Sequence, residues 1–236
     1  MNILALSTTS SSGSIAIYVE DHISYINHLD IKITHSERLL PQIDAGLKNS
    51  KIAISDIDLV VIANGPGSFT GLRIGLATAK GLCMAHKIPL LPISTLELLA
   101  NNVYHSNRNI LTIMDARMAE VYAALYSPNL EIILPETNTK PEILFKKIKE
   151  PVIIVGDGAK EFRNEILGSG IDHTFCLEHQ NIPLASTLIS MALKRNIPEY
   201  DFESISELEP YYLRKSQAEL VRDEKLKKQK IIHRGN

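Results

Sequence analysis

At 236 residues, 44% of them hydrophobic and 22% charged, the chain can bury a large core and is too apolar to remain disordered. No apolar stretch reaches the roughly 18 residues that span a membrane, and the start, Met1-Asn2-Ile3-Leu4-Ala5-Leu6, lacks the basic segment of a secretory leader, so a cytoplasmic protein is expected. The net charge of −2 is uneven: from Arg214 onward eight Lys or Arg face three Asp or Glu, leaving 17 basic and 24 acidic residues on a body without a nucleic-acid footprint.

Three strand patterns open the chain, at 3–6, 14–19 and 23–28. A helix follows, announced by the capping box Thr34-His35-Ser36-Glu37, and Leu39, Leu40, Ile43 and Leu47 fall on one of its faces. The run Leu59-Val60-Val61-Ile62-Ala63 reads as a buried strand, and 72–86 as a long helix. A short strand near Leu90 and Leu91 and a helix over 95–104 complete the first half.

The second half repeats this grammar. Residues 110–114, 120–126 and 131–134 are strand-like, 141–149 helix-like and 152–155 strand-like. After Gly156-Asp157-Gly158-Ala159 come a short helix and an apolar helix over 184–193. The order predicts an α/β fold of two tandem βββαβα units, each a mixed sheet flanked by helices, with lobes at 1–107 and 108–214 and a basic tail at 215–236.

Between strand and long helix lies Asn64-Gly65-Pro66-Gly67-Ser68-Phe69-Thr70-Gly71-Leu72-Arg73-Ile74-Gly75. Gly65 and Gly67 permit a sharp turn, and Ser68 or Thr70 can cap the helix. The turn lacks the Gly-Lys-Ser/Thr ending of a phosphate-binding P-loop and the Gly-x-Gly-x-x-Gly spacing of a dinucleotide turn, so its glycines are read as packing positions, with anion binding as the alternative. In the helix, Gly71, Gly75 and Ala79 recur every fourth residue beside Leu72 and Leu76. Two glycines inside a helix cost about 1 kcal/mol each against alanine and call for the close approach of another element.

Candidate chemistry is sparse. Cys83 and Cys176 have no neighbouring Cys or spaced His. No two of the eight histidines stand four apart, the spacing that would aim both at one ion from a helix. Asp115 and Asp157 are the carboxylates at strand ends, and both are read as turn or cap residues.

The duplicated unit resembles the actin, sugar-kinase and Hsp70 superfamily. Within it, the segment from Asn64 to Gly75 is similar to the signature of the TsaB, or YeaZ, family. Ile3-Leu4-Ala5-Leu6-Ser7-Thr8, Met114-Asp115-Ala116-Arg117-Met118-Ala119-Glu120-Val121-Tyr122 and Pro210-Tyr211-Tyr212-Leu213-Arg214 agree with it in order. The resemblance implies a non-catalytic subunit that works with the catalytic paralogue TsaD and the ATPase TsaE to place threonylcarbamoyl on N6 of adenosine 37 in tRNAs reading ANN codons.

It also implies that the helices around 36–47 and 70–86 pair with their counterparts in TsaD, or form a homodimer when the chain is alone. The interface residues would be Leu39, Leu40, Ile43, Leu47, Thr70, Gly71, Leu72, Gly75, Leu76 and Ala79. Gly65, Pro66, Gly67, Ser68, Phe69 and Arg73 form the signature loop. No catalytic, cofactor or metal residue is assigned, ATP or ADP is expected only at the joint with TsaD, and tRNA contact is indirect or through the tail. The alternative readings are a small-molecule phosphotransferase using Asp115 and the glycine turn, or a metallopeptidase.

Overall fold

The computed structural model of the chain describes residues 1–31 and 34–214, so the basic tail at 215–236 lies outside the described residues. Strands β1 (Ile3–Ser7), β2 (Gly13–Val19) and β3 (His22–Leu29) form an antiparallel meander. Helix α1 (His35–Asn49) crosses to β4 (Leu59–Ala63), parallel to β1, and α2 (Phe69–His86) crosses to β5 (Leu90–Ile93), parallel to β4.

After α3 (Thr95–Asn101) the pattern recurs. Strands β6 (Asn109–Asp115), β7 (Val121–Tyr126) and β8 (Ile132–Thr139) form a second meander, α4 (Pro141–Phe145) leads to β9 (Val152–Val155), and α5 (Gly158–Glu161) and α6 (Arg163–Gly168) lead to β10 (His173–Phe175). Helices α7 (Ala185–Ala192) and α8 (Phe202–Glu207) follow, and the described chain runs on to Arg214. The sheet orders, β3-β2-β1-β4-β5 and β10-β9-β6-β7-β8, are one order written twice. This is the expected α/β duplication, two mixed sheets flanked by helices.

Central strands are apolar on both faces because helices cover both. In the first sheet Leu4, Leu6, Val60 and Ile62 meet Leu39 and Ile43 of α1 and Leu76, Ala79 and Cys83 of α2. Its other face, Ile3, Ala5, Leu59 and Val61, meets Ala185, Leu188, Ile189 and Ala192 of α7. In the second sheet Leu111, Ile113 and Ala123 pack on Leu144, Phe145 and Ile166, while Ile110, Met114 and Tyr122 pack on Leu96, Leu99 and Ala100 of α3.

The last helix of each repeat is therefore exchanged: α3 covers the second sheet and α7 covers the first. Ile205 of α8 also enters the core of the first lobe. A cut at 107/108 separates the two sheets but not the two cores, which corrects the expected lobe at 108–214. Other differences are local. Helix α3 ends at Asn101 and α4 at Phe145, short of the expected limits, and β8 extends to Thr139. Strand β10 and helix α8 have no counterpart in the sequence reading.

Candidate functional site

Strand β4 ends at Ala63 and the chain turns through a cis Gly65–Pro66 bond before Ser68 caps α2, its hydroxyl accepting from the Gly71 amide at 3.3 Å. Gly65 adopts φ +121°, and a Cβ there would collide with the carbonyl of Tyr211. A Cβ on Gly67 would meet the carbonyl of Thr9, which already accepts from the Ser68 amide at 2.8 Å. The turn is thus held between the β1–β2 turn and the C-terminal strap, the segment at 209–214. The signature glycines serve packing, and the Ser68 amide is committed to protein.

The stripe of Gly71, Gly75 and Ala79 points inward. A Cβ on Gly71 would strike the Thr8 carbonyl and one on Gly75 the Thr8 hydroxyl, with Ile62 Cδ1 at 3.6 Å, while Ala79 is fully buried. Leu39, Ile43, Leu72 and Leu76 are core residues and Leu47 is half-buried. The close approach that two helical glycines call for is satisfied within this chain, so these residues are not the exposed seam that was expected. Of the ten proposed interface residues, Leu40 and Thr70 are exposed.

Helices α1 and α2 lie side by side and present a different outward face. On α1 it carries Leu40, 55% exposed, with Pro41 and Asp44; on α2 it carries Arg73, Ala77, Gly81 and Ala85 at successive fourth positions. A Cβ on Gly81 would meet nothing within 4 Å. Sequence periodicity contained both small-residue stripes, but only the inward one stands in the signature.

Between the lobes lies a cavity of about 200 Å³ lined by Thr9, Ser68, Phe69, Asp115, Arg117 and Arg214 among others. Its carboxylates hold backbone. Asp157 Oδ1 accepts from the Asp115 amide at 3.1 Å, and Asp115 Oδ1 accepts from the Arg117 amide at 2.7 Å. Asp115 Oδ2 also pairs with Arg117 at 3.1 Å. Both aspartates have the structural roles read from sequence. Asp157 touches solvent but is walled in by protein, and this desolvation pushes its carboxyl up. Arg117, Met118 and Ala119 all take positive φ, a left-handed turn that costs residues with side chains roughly 1–2 kcal/mol each.

On the first lobe's side, His35 Nε2 donates to the Ser10 carbonyl at 2.9 Å and its Nδ1 accepts from Arg38 at 3.1 Å; a carbonyl only accepts and a guanidinium only donates, so the partners fix the neutral tautomer. Arg38 also donates to the carbonyls of Ser11 and Leu29. Burial lowers the His35 pKa, and Arg38 lowers it further against the opposing Ser10 bond. Among the described residues no group of three or more His, Cys, Asp or Glu could hold a metal ion. Burial pushes the Cys83 thiol up to about 12.

A family model for TsaD, tRNA N6-adenosine threonylcarbamoyltransferase, matches residues 30–219. The tRNA threonylcarbamoyladenosine biosynthesis protein TsaB of Bacillus subtilis is 33% identical over 231 residues, 93% of this chain and 96% of the relative. The protein of the same name from Escherichia coli is 29% identical over 92% of this chain and 96% of its own. A solved structure described as YeaZ from Pseudomonas aeruginosa superposes with a TM-score of 0.71 at 25% identity, covering 90% of this chain and 99% of that one. The Bacillus relative, at 33% identity, spans nearly all of the chain: the chain belongs to the TsaB (YeaZ) family.

Proposed function

We propose that the chain acts in tRNA threonylcarbamoyladenosine biosynthesis as a non-catalytic partner subunit, binding the catalytic TsaD protein, with TsaE, for transfer of threonylcarbamoyl to N6 of adenosine 37 in ANN-decoding tRNAs. The observation that carries this reading is the use of the cleft's carboxylates: Asp115 and Asp157 cap backbone amides, and the turns around them are filled by the chain's own carbonyls. The names of the relatives support the pathway, and the match to a TsaD family model supports pairing between two proteins of like fold.

The docking surface in this reading is the outward α1–α2 face, with Leu40 as apolar anchor and Ala77, Gly81 and Ala85 allowing a partner helix to approach closely. The same face would close a homodimer in the absence of TsaD. ATP or ADP would enter only at the joint with TsaD, and tRNA would be reached through the partner or through the basic tail. No helix among the described residues is long and apolar enough to cross a membrane, in keeping with a cytoplasmic site of action.

Reconstitution tests the reading. Modification of an ANN-decoding tRNA is expected from the chain together with TsaD, TsaE and the threonylcarbamoyl donor, and not when any one protein is omitted. Full activity without this chain would refute the partner role. Turnover by this chain alone, or micromolar Mg-ATP binding by it that Asp115→Ala removes, would restore the phosphotransferase alternative.

A further inference from the structure

We infer that residues 209–214 form a latch that fastens the two lobes across the mouth of the cleft and keeps the cleft closed. On the first lobe the Tyr211 amide donates to the Asn64 carbonyl at 2.8 Å, and Asn64 Nδ2 returns a bond to the Glu209 carbonyl at 2.9 Å. Tyr212 stacks on Phe69 with ring centroids 4.6 Å apart and planes 14° from parallel, and its hydroxyl accepts from Arg73 Nε at 3.0 Å. Gly65 belongs to this fastening, since its site has no room for a Cβ beside the Tyr211 carbonyl.

One residue further on the chain changes lobes. Leu213 packs on the cluster formed by α3 and the second sheet, and Arg214 donates to the Arg117 carbonyl at 3.3 Å and to Glu120 at 3.4 Å. The C-lobe anchor is the left-handed turn at 117–119, which carries Arg117, 83% exposed at its side chain, and Met118, 65% exposed. The latch therefore joins the signature turn of one lobe to a strained turn of the other.

Closure has a consequence for access. The cavity behind the latch is about 200 Å³, below the 300 Å³ or so at which small-molecule sites begin. In folds of two lobes around a cleft, hinge closure is the usual motion, and this contact sets its width. A ligand of nucleotide size could enter only with the latch released.

Amide exchange of the whole chain, read residue by residue, tests the latch through effects at a distance. Tyr212→Ala is expected to speed exchange at Ala116 and Glu120, which lie across the cleft and whose amides donate to the carbonyls of Glu120 and Arg117 rather than to Tyr212, by roughly three- to tenfold, the worth of one aromatic stack. Arg214→Ala is expected to speed exchange at Ser68, in the lobe to which Arg214 makes no hydrogen bond, by a similar factor. Circular dichroism confirms that each variant is folded. If either alanine variant fails to fold, Tyr212→Leu and Arg214→Gln, read at the same amides, decide the matter. Faster exchange confined to the lobe that each residue touches would overturn the proposal.

Discussion

The Thr8 hydroxyl donates to the carbonyl of Gly71 at 2.8 Å and occupies the place where a Gly75 side chain would begin. One residue in the β1–β2 turn, Thr8, thus accounts for the two inward glycines of α2, its carbonyl excluding a side chain at Gly71 and its hydroxyl one at Gly75. The bond links residues 63 apart in sequence and seats the start of α2 on the end of β1. The first lobe is closed by this contact before any partner is considered.

Gly75→Ala should lower the stability of the isolated chain, because the added methyl meets Thr8 in a packed site. Overpacking of this kind costs about 1–3 kcal/mol. Urea unfolding should register the loss, and adding Thr8→Ala should recover part of it by clearing the space. Gly81→Ala should do the opposite, stabilising by about 0.5–1 kcal/mol, since its methyl meets nothing and alanine favours the helix. A Gly75→Ala variant as stable as the parent would show that the contact is looser than described.

Stability should fall as the solution is acidified through the ordinary histidine range. His35 is held neutral, so its folded pKa lies below the reference value of 6.5, and the unfolded chain takes up the proton first. The contribution is complete above that reference value and is lost as pH falls towards the folded value. His28 shifts in the same direction, chiefly through burial. His35→Gln can keep both bonds without titrating, so its melting temperature should decline less between about pH 7.5 and 5.5 than that of the parent. Equal slopes for the two proteins would remove His35 from the account.

Asp115→Ala should destabilise the left-handed turn by about 1–2 kcal/mol, the usual loss when a side-chain cap is removed. Asp115→Asn should lose much less, because its carbonyl can still accept from the Arg117 amide. Asp157 has its pKa raised, so its charged form opposes folding and stability is lost as pH rises through the folded value. Asp157→Asn should therefore flatten the pH dependence above the ordinary carboxylate value while retaining the bond to the Asp115 amide. Chemical denaturation of the three variants across pH provides the comparison.

Local features were legible wherever a single physical cause acted alone. Strands β4 and β9 match the sequence reading to the residue, because parallel strands covered on both faces are unbroken apolar runs. Half of the capping box at Thr34 formed as read: Glu37 accepts from the Thr34 amide at 3.1 Å and from its hydroxyl at 2.7 Å, while that hydroxyl caps no helix amide. Strand β10 was not legible: it has three residues, none fully buried, too few to show a period. The exchange of α3 and α7 was equally hidden, since an apolar helix carries no label for the sheet it will cover. For the site, the glycine spacing announced a close approach but could not say that Thr8 makes it, so the stripe was assigned to a partner. The outward residues Ala77, Gly81 and Ala85 carried the same periodic signal.

Calorimetric titration of TsaD with Gly81→Glu decides whether the outward α1–α2 face binds the catalytic partner, as proposed. Open space around Gly81 means that the variant should melt like the parent, so a change in affinity can be read as an interface effect. Affinity is expected to fall about a hundredfold, as for a charge placed at the centre of an interface. Unchanged affinity in a folded Gly81→Glu protein would contradict it.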